Sequence, residues 1–173
     1  MKILALMASP RKGGNTDLLI NEILGGAAGH QHEKLGLYDL DISPCTDCRD
    51  CRTGACSIDD DMLDLYPKIE SADVIIFGTP LYWYGPSGPM KLFMDRLLPY
   101  SETEKLKKKR ALLVIPSAEG PEACEAVVKM FQLSLDYLGM DIANILLPKA
   151  YEKGEISNDP KTLEQAREIG ASL

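Results

Sequence analysis

Met7-Ala8-Ser9-Pro10-Arg11-Lys12-Gly13-Gly14-Asn15-Thr16 is the stretch that decides how this chain folds. Ahead of it, Ile3-Leu4-Ala5-Leu6-Met7 is apolar, too short for a helix and stopped by a breaker, so it reads as a strand. Behind it, Ile20, Ile23, Leu24 and Ala27 recur at helical spacing and mark an amphipathic helix. A strand, a tight loop and a helix in that order aim the unpaired N–H groups of the first helical turn, and the positive end of the helix dipole, at whatever sits in the loop. Ser9 and Thr16 add hydroxyls, Asn15 an amide and Arg11 a cationic fork, while Gly13 and Gly14 let the backbone approach an anion closely. These residues form a cradle for one phosphate. Neither G-x-x-x-x-G-K-[ST] nor G-x-G-x-x-G is present, which excludes the triphosphate loop and the dinucleotide fingerprint.

Working outward, 173 residues suffice for one α/β domain with its own core, here taken to span 1–173. The net charge of −7 argues against nucleic acid or an anionic membrane as a partner. No run of 18 apolar residues occurs, and the expected location is the cytoplasm. In a reducing compartment the five cysteines suggest metal or redox chemistry more than a disulfide framework.

After the first helix, residues 33–40 suggest an edge strand, with Leu35, Leu37 and Tyr38 on it. Asp59, Asp60 and Asp61 fit a helix start, and Met62, Leu65, Tyr66 and Ile69 fit its buried face. Val74-Ile75-Ile76-Phe77 reads as a central parallel strand, followed by a loop and by a helix opening at Pro89 with Met90, Phe93, Met94 and Leu97 inward. Residues 111–115 and 142–147 read as two more strands, separated by a helical stripe of Val127, Met130, Phe131, Leu135 and Leu138 that Gly139 closes. Asp159-Pro160 starts a last helix in a C-terminal arm, 151–173, expected to stand apart from the domain. This alternation predicts a three-layer α/β fold, flavodoxin-like, with a five-stranded parallel sheet of order 2-1-3-4-5 and helices on both faces. All βα loops then leave at one sheet edge, where ligands bind beside the switch point.

The phosphate loop resembles the S-x-R-x-x-G/S-N-T motif of the NADPH-dependent FMN reductase superfamily. The resemblance implies that Ser9, Arg11, Gly14, Asn15 and Thr16 hold the ribityl phosphate of FMN. A second stretch is similar to the family's P-x-Y-W…S-G-x-x-K-x-x-x-D-R, matched by Pro80, Tyr82, Trp83, Ser87, Gly88, Lys91, Asp95 and Arg96. Flat rings suit a flavin face, so Pro80, Leu81, Tyr82, Trp83 and Gly85 are expected beside the ring, with Ser117, Ala118, Glu119 and Gly120 approaching from its other side. A subunit contact, which aromatics also favour, is the alternative to the flavin face. Lys91 and Asp95 also make an ordinary i, i+4 helix pair and are assigned to structure.

Cys45, Cys48, Cys51 and Cys56 form a C-x2-C-x2-C-x4-C run, with Gly54 giving the loop room to turn back. Zinc sites usually separate two C-x2-C pairs by a longer spacer, whereas unspaced repeats occur in ferredoxin-type ligand runs. The loop resembles that of the iron–sulfur flavoprotein branch of the superfamily, which implies a [4Fe–4S] cluster; zinc and free thiols stay open as alternatives. Cys124 reads as a small buried residue.

The expected activity is that of an FMN-dependent oxidoreductase, its chemistry carried by the flavin, drawing on NAD(P)H or a reduced carrier such as ferredoxin. The competing reading is a one-electron carrier that relays electrons between proteins through cluster and FMN, without a small-molecule substrate. A signalling module with an empty flavin pocket is disfavoured by the complete phosphate loop. The exposed aromatics and the arm suggest a homo-oligomer, dimer or tetramer, with a site shared between subunits.

Overall fold

The computed structural model describes residues 1–53 and 55–173 (for Thr53 the backbone alone), so the turn expected at Gly54 lies outside the described residues. Five strands, β1 (Lys2–Met7), β2 (Gln31–Gly36), β3 (Val74–Gly78), β4 (Arg110–Val114) and β5 (Asp141–Leu146), pair in parallel in the order β2-β1-β3-β4-β5. Helices α1 (Asn15–Gly26), α2 (Met62–Ser71), α3 (Gly88–Asp95), α4 (Glu125–Tyr137) and α5 (Pro160–Ala171) cover the sheet. The expected flavodoxin-like topology is therefore the observed one.

Past the charged first residues Lys2 and Arg110, the three central strands are apolar because both of their faces are covered. Ile3, Ala5, Val74, Ile76, Leu112 and Val114 pack under α1 and α5, whereas Leu4, Leu6, Ile75, Phe77 and Leu113 pack under α2, α3 and α4. Phe77 meets Phe131 of α4 edge-on with ring centroids 5.7 Å apart. At β3, Gly78 gives α1 room: a Cβ there would lie 2.4 Å from Ile20 Cδ1.

Three expectations change. The edge strand starts at Gln31 and ends at Gly36, and Leu37 and Tyr38 lie in a 3-10 turn, Leu37–Asp39. Its first four residues are exposed, so backbone pairing with β1 places it, from Lys2 opposite Gln31 to Met7 opposite Gly36; side-chain alternation does not. At the start of α2 Asp60 accepts the Met62 N–H (3.0 Å), while the Asp61 carboxylate instead accepts the Asp41 N–H (2.7 Å).

The third change is the C-terminal segment, which is not a detached arm. Asp159 accepts the Thr162 N–H (3.1 Å) to start α5 as expected, and α5 lies flat on α1 with Ala166 and Ile169 buried. The helices approach through glycine: a Cβ on Gly170 would lie 1.9 Å from Ile23 O, and one on Gly26 would lie 2.1 Å from Arg167 O. Among the described residues no helix is long and apolar enough to cross a membrane.

Candidate functional site

The carboxyl ends of β1, β3 and β4 frame a cleft lined by Ser9, Arg11, Asn15, Thr16, Pro80, Leu81, Tyr82, Pro116, Ser117, Ala118, Ala150 and Tyr151. Its floor is the phosphate loop. Gly13 takes φ +70° and Gly14 turns so tightly that a Cβ would meet Arg11 O at 2.7 Å. The Gly14 N–H closes the turn on Arg11 O (2.8 Å), and the Leu18 N–H bonds Gly14 O (2.9 Å). The amides of Asn15 and Thr16 come before that first intrahelical bond, where a helix presents its unpaired donors. Thr16 and Ser9 are buried hydroxyl residues at this floor, the latter accepting the Arg11 N–H (3.3 Å).

Asp17 stabilises the loop from below. Its carboxylate accepts the Gly13 N–H (2.7 Å) and pairs with Lys34 (2.6 Å). Burial pushes this carboxyl up, but the Lys34 hydrogen bond, the Gly13 N–H and the charges of Lys34 and Lys12 outweigh it and hold it below its ordinary value. Asn15 is engaged on both amide atoms: Nδ2 donates to Glu152 O (2.9 Å) and Oδ1 accepts the Ile156 N–H (3.1 Å). It braces the wall of the cleft.

The loop after β3 is tied down by buried hydroxyls. Ser87 Oγ donates to Ala8 O (2.7 Å), and Thr79 Oγ1 accepts the Ser87 N–H (2.9 Å). Tyr82 and Gly85 exchange two backbone bonds, so Trp83 and Tyr84 sit at the tip of a two-residue hairpin. Trp83 is 98 % exposed and does not line the cleft. On the opposite wall Ser117 is bonded through its hydroxyl to both Gly120 N and Gly120 O (2.9 Å each).

Of the residues the sequence proposes for FMN, the cleft gathers Ser9, Arg11, Asn15, Thr16, Pro80, Leu81, Tyr82, Ser117 and Ala118; Gly14, Trp83, Gly85, Glu119 and Gly120 stand behind or beyond it. Pro116, Ala150 and Tyr151 line it without having been singled out. The signal for the last two is weak in sequence, because they arrive with the segment after β5: the Ala150 N–H bonds Ser117 O (2.8 Å), and Arg11 donates to Tyr151 O (3.4 Å).

A second hollow lies beside the end of α3, walled among others by Cys45, Cys48, Cys51, Cys56 and Arg96. The four thiols share it. Burial pushes the Cys51 thiol up, and neighbouring Cys56, Cys48 and Cys45 push it further. Asp47 and Arg49, flanking Cys48, both have left-handed backbones (φ +51° and +67°). Backbones that alternate in hand this way form anion-holding concavities, iron–sulfur sites among them. Among the described residues no three His, Cys, Asp or Glu side chains are gathered closely enough to hold a single metal ion. Cys124 is buried, as expected, and burial pushes its thiol up.

Arg96, the last residue of the S-G-x-x-K-x-x-x-D-R match, has a structural role that no local sequence signal shows. It is 1 % exposed. Its Nη1 donates to Ser43 O (2.9 Å) and to Asp60, and its Nη2 donates to Asp60 Oδ1 (3.1 Å) and Cys56 Sγ (3.4 Å). Tyr66 OH donates to Arg96 O (2.8 Å). α3 is thereby joined to both ends of the cysteine loop.

The family model for NADPH-dependent FMN reductase matches residues 1–150. An iron-sulfur flavoprotein of Methanocaldococcus jannaschii is 32 % identical, the alignment covering 100 % of this chain and 95 % of that one. A putative NAD(P)H-dependent FMN-containing oxidoreductase of Bacillus subtilis is 27 % identical over 98 % of this chain and 96 % of its own length. Among solved structures, an NAD(P)H:quinone oxidoreductase from Methanothermobacter marburgensis has the same fold, with a TM-score of 0.81 at 19 % identity and coverage of 100 % and 96 %. The chain belongs to the NADPH-dependent FMN reductase family and is an FMN-binding oxidoreductase.

Proposed function

We propose that FMN lies in the cleft with its phosphate on the first turn of α1 and its ring between the Pro80–Tyr82 and Pro116–Ala118 walls. The observation that carries this reading is the convergence of the β1, β3 and β4 loops on one cleft floored by the buried hydroxyl residues Ser9 and Thr16, with a tight glycine turn behind them. Ser9, Arg11, Thr16 and the amides of Asn15 and Thr16 hold the phosphate; Pro80, Leu81 and Tyr82 exclude water from one side of the ring. Bound FMN supplies two-electron exchange with a nicotinamide and the ability to release electrons singly. NADH or NADPH is the donor, a reading supported by the name of the Bacillus subtilis relative.

The four cysteines, in the same reading, hold a [4Fe–4S] cluster. Supporting this are their unspaced repeat, their shared hollow, the alternating backbone around Cys48 and the names of the iron-sulfur flavoprotein relatives. A cluster favours the second role, one-electron relay to a protein such as ferredoxin. The assembly is a homodimer or homotetramer. Anaerobic purification with assay of FMN, iron and acid-labile sulfide, followed by reduction with NADH and NADPH, tests the whole. One FMN per chain bleached by either nucleotide is the expected result; absence of FMN would overturn the assignment of the cleft, and zinc without sulfide would overturn the cluster.

A further inference from the structure

We propose that Arg96 is a positioning residue for the occupant of the cysteine hollow: its buried guanidinium fixes Cys56 and keeps one donor, Nε–H, for that occupant, making it easier to reduce. The inference rests on the reading that the four cysteines hold an iron–sulfur cluster, and concerns what this chain adds to one.

Arg96 has five donors and no acceptor, and it stays charged at any pH the fold survives. Four of its contacts are placed: Ser43 O, both Asp60 oxygens and Cys56 Sγ. Its Nε is buried and, among the described residues, has no partner. A buried N–H without an acceptor is destabilising, and native folds rarely leave one. Arg96 walls the same hollow as the four thiols, so the unpaired donor belongs to a residue that shares a wall with Cys45, Cys48, Cys51 and Cys56. A sulfur-rich anion in the hollow gives that donor an acceptor.

Asp60 explains why the guanidinium is so firmly held. It accepts from Arg96 on both oxygens and also takes the N–H groups of Ser43 (2.9 Å) and Met62 (3.0 Å). The cation is thus anchored by backbone at both ends of the cysteine loop and cannot swing to solvent as its neighbour changes charge. When the occupant takes up one electron, no bond in Arg96 forms or breaks and no proton leaves it. The fixed positive charge and the hydrogen bonds simply stabilise the more negative state, and hydrogen bonds to cluster sulfurs are an established lever on potential.

Anaerobic redox titration of the holoprotein with dithionite, followed by electron paramagnetic resonance, tests this in Arg96→Lys and in the double variant Arg96→Gln/Asp60→Asn. The double variant removes the ion pair together and so avoids stranding a buried carboxylate. The expected result is full iron and sulfide with a lower midpoint potential, by at least tenfold in the one-electron equilibrium, about 59 mV, for the double variant. Losing the Asp60 charge acts in the opposite direction, so such a fall is attributable to Arg96. An unchanged or raised potential with iron and sulfide intact would overturn the inference while leaving the cluster in place. An unmodified protein without iron and sulfide would instead overturn the cluster reading itself, and this inference with it.

Discussion

Asn15 and Glu152, far apart in the chain, are joined by a hydrogen bond of 2.9 Å from the Asn15 amide to the Glu152 carbonyl. With the reciprocal Ile156 N–H bond to Asn15 Oδ1 (3.1 Å), it fastens the segment carrying Tyr151 against the phosphate loop. Asn15→Leu removes both bonds and frees one wall of the cleft. The expected loss is about 1–2 kcal/mol of FMN affinity, roughly fivefold to thirtyfold in Kd. Quenching of FMN fluorescence on titration reads it directly; unchanged affinity would mean that this wall does not touch the flavin.

The phosphate assignment is tested closer in. Thr16→Val keeps the shape of a buried side chain and deletes its hydroxyl, whereas Arg11→Ala deletes a charge and the contact to Tyr151 O. Each is expected to weaken FMN by about 1–3 kcal/mol, with riboflavin, which lacks the phosphate, affected much less. Equal losses for FMN and riboflavin would place the phosphate elsewhere.

Gly170 sets how closely α5 approaches α1. Because a Cβ there would fall 1.9 Å from Ile23 O, which is backbone, Gly170→Ala forces the helices apart. A destabilisation of about 1–3 kcal/mol in urea unfolding is expected, as for other overpacked contacts. By comparison Gly25, whose added Cβ meets nothing within 4 Å, tolerates alanine.

The start of α5 at Asp159-Pro160 was legible, but its docking on α1 was not, and that contact explains why. Hydrophobic periodicity detects stripes of large residues, and strands such as Val74–Gly78 or helices such as Glu125–Tyr137 announce themselves in this way. α5 has such a stripe in Leu163, Ala166 and Ile169, but its closest approach to α1 runs through Gly170 and backbone, which no pattern of large residues announces. The phosphate loop was legible because its function depends on residue types at fixed spacing along one turn. Tyr151 and Ala150 were not, since only tertiary packing brings them to the cleft. Arg96 belongs to the same class: its partners Ser43, Cys56 and Asp60 lie 53, 40 and 36 positions away.

Asp17 supplies a pH dependence. Its folded carboxyl is held below its ordinary value of 3.8, since burial, which raises it, is outweighed by Lys34, the Gly13 N–H and Lys12. A depressed carboxyl contributes stability that is fully present above 3.8 and is lost as pH falls through the lower, folded value. Asp17→Asn is therefore expected to cost about 1–2 kcal/mol at neutral pH, with the gap from the unmodified protein narrowing as pH drops below that of free aspartate. Paired urea titrations at several pH values measure the gap; one that stays constant into acid would show that the charge contributes nothing.

The tip of the aromatic loop carries a cost that the isolated chain does not recover. Trp83 and Tyr84 adopt φ of +49° and +61° between the paired residues Tyr82 and Gly85, the geometry of a type I′ hairpin. That turn favours Asn-Gly, and an L-residue with a side chain gives up about 1–2 kcal/mol at each left-handed position. Strain of this kind persists where surroundings or a partner require it. Trp83 is 98 % exposed and outside the cleft, which favours the subunit contact over the flavin face among the two roles open to these rings. Trp83→Asn combined with Tyr84→Gly is therefore expected to raise the unfolding free energy by about 1–3 kcal/mol at concentrations where the chain is dissociated. The same variant should keep its FMN and self-associate more weakly in light scattering. Retained assembly together with lost FMN would reverse the assignment and seat Trp83 on the flavin.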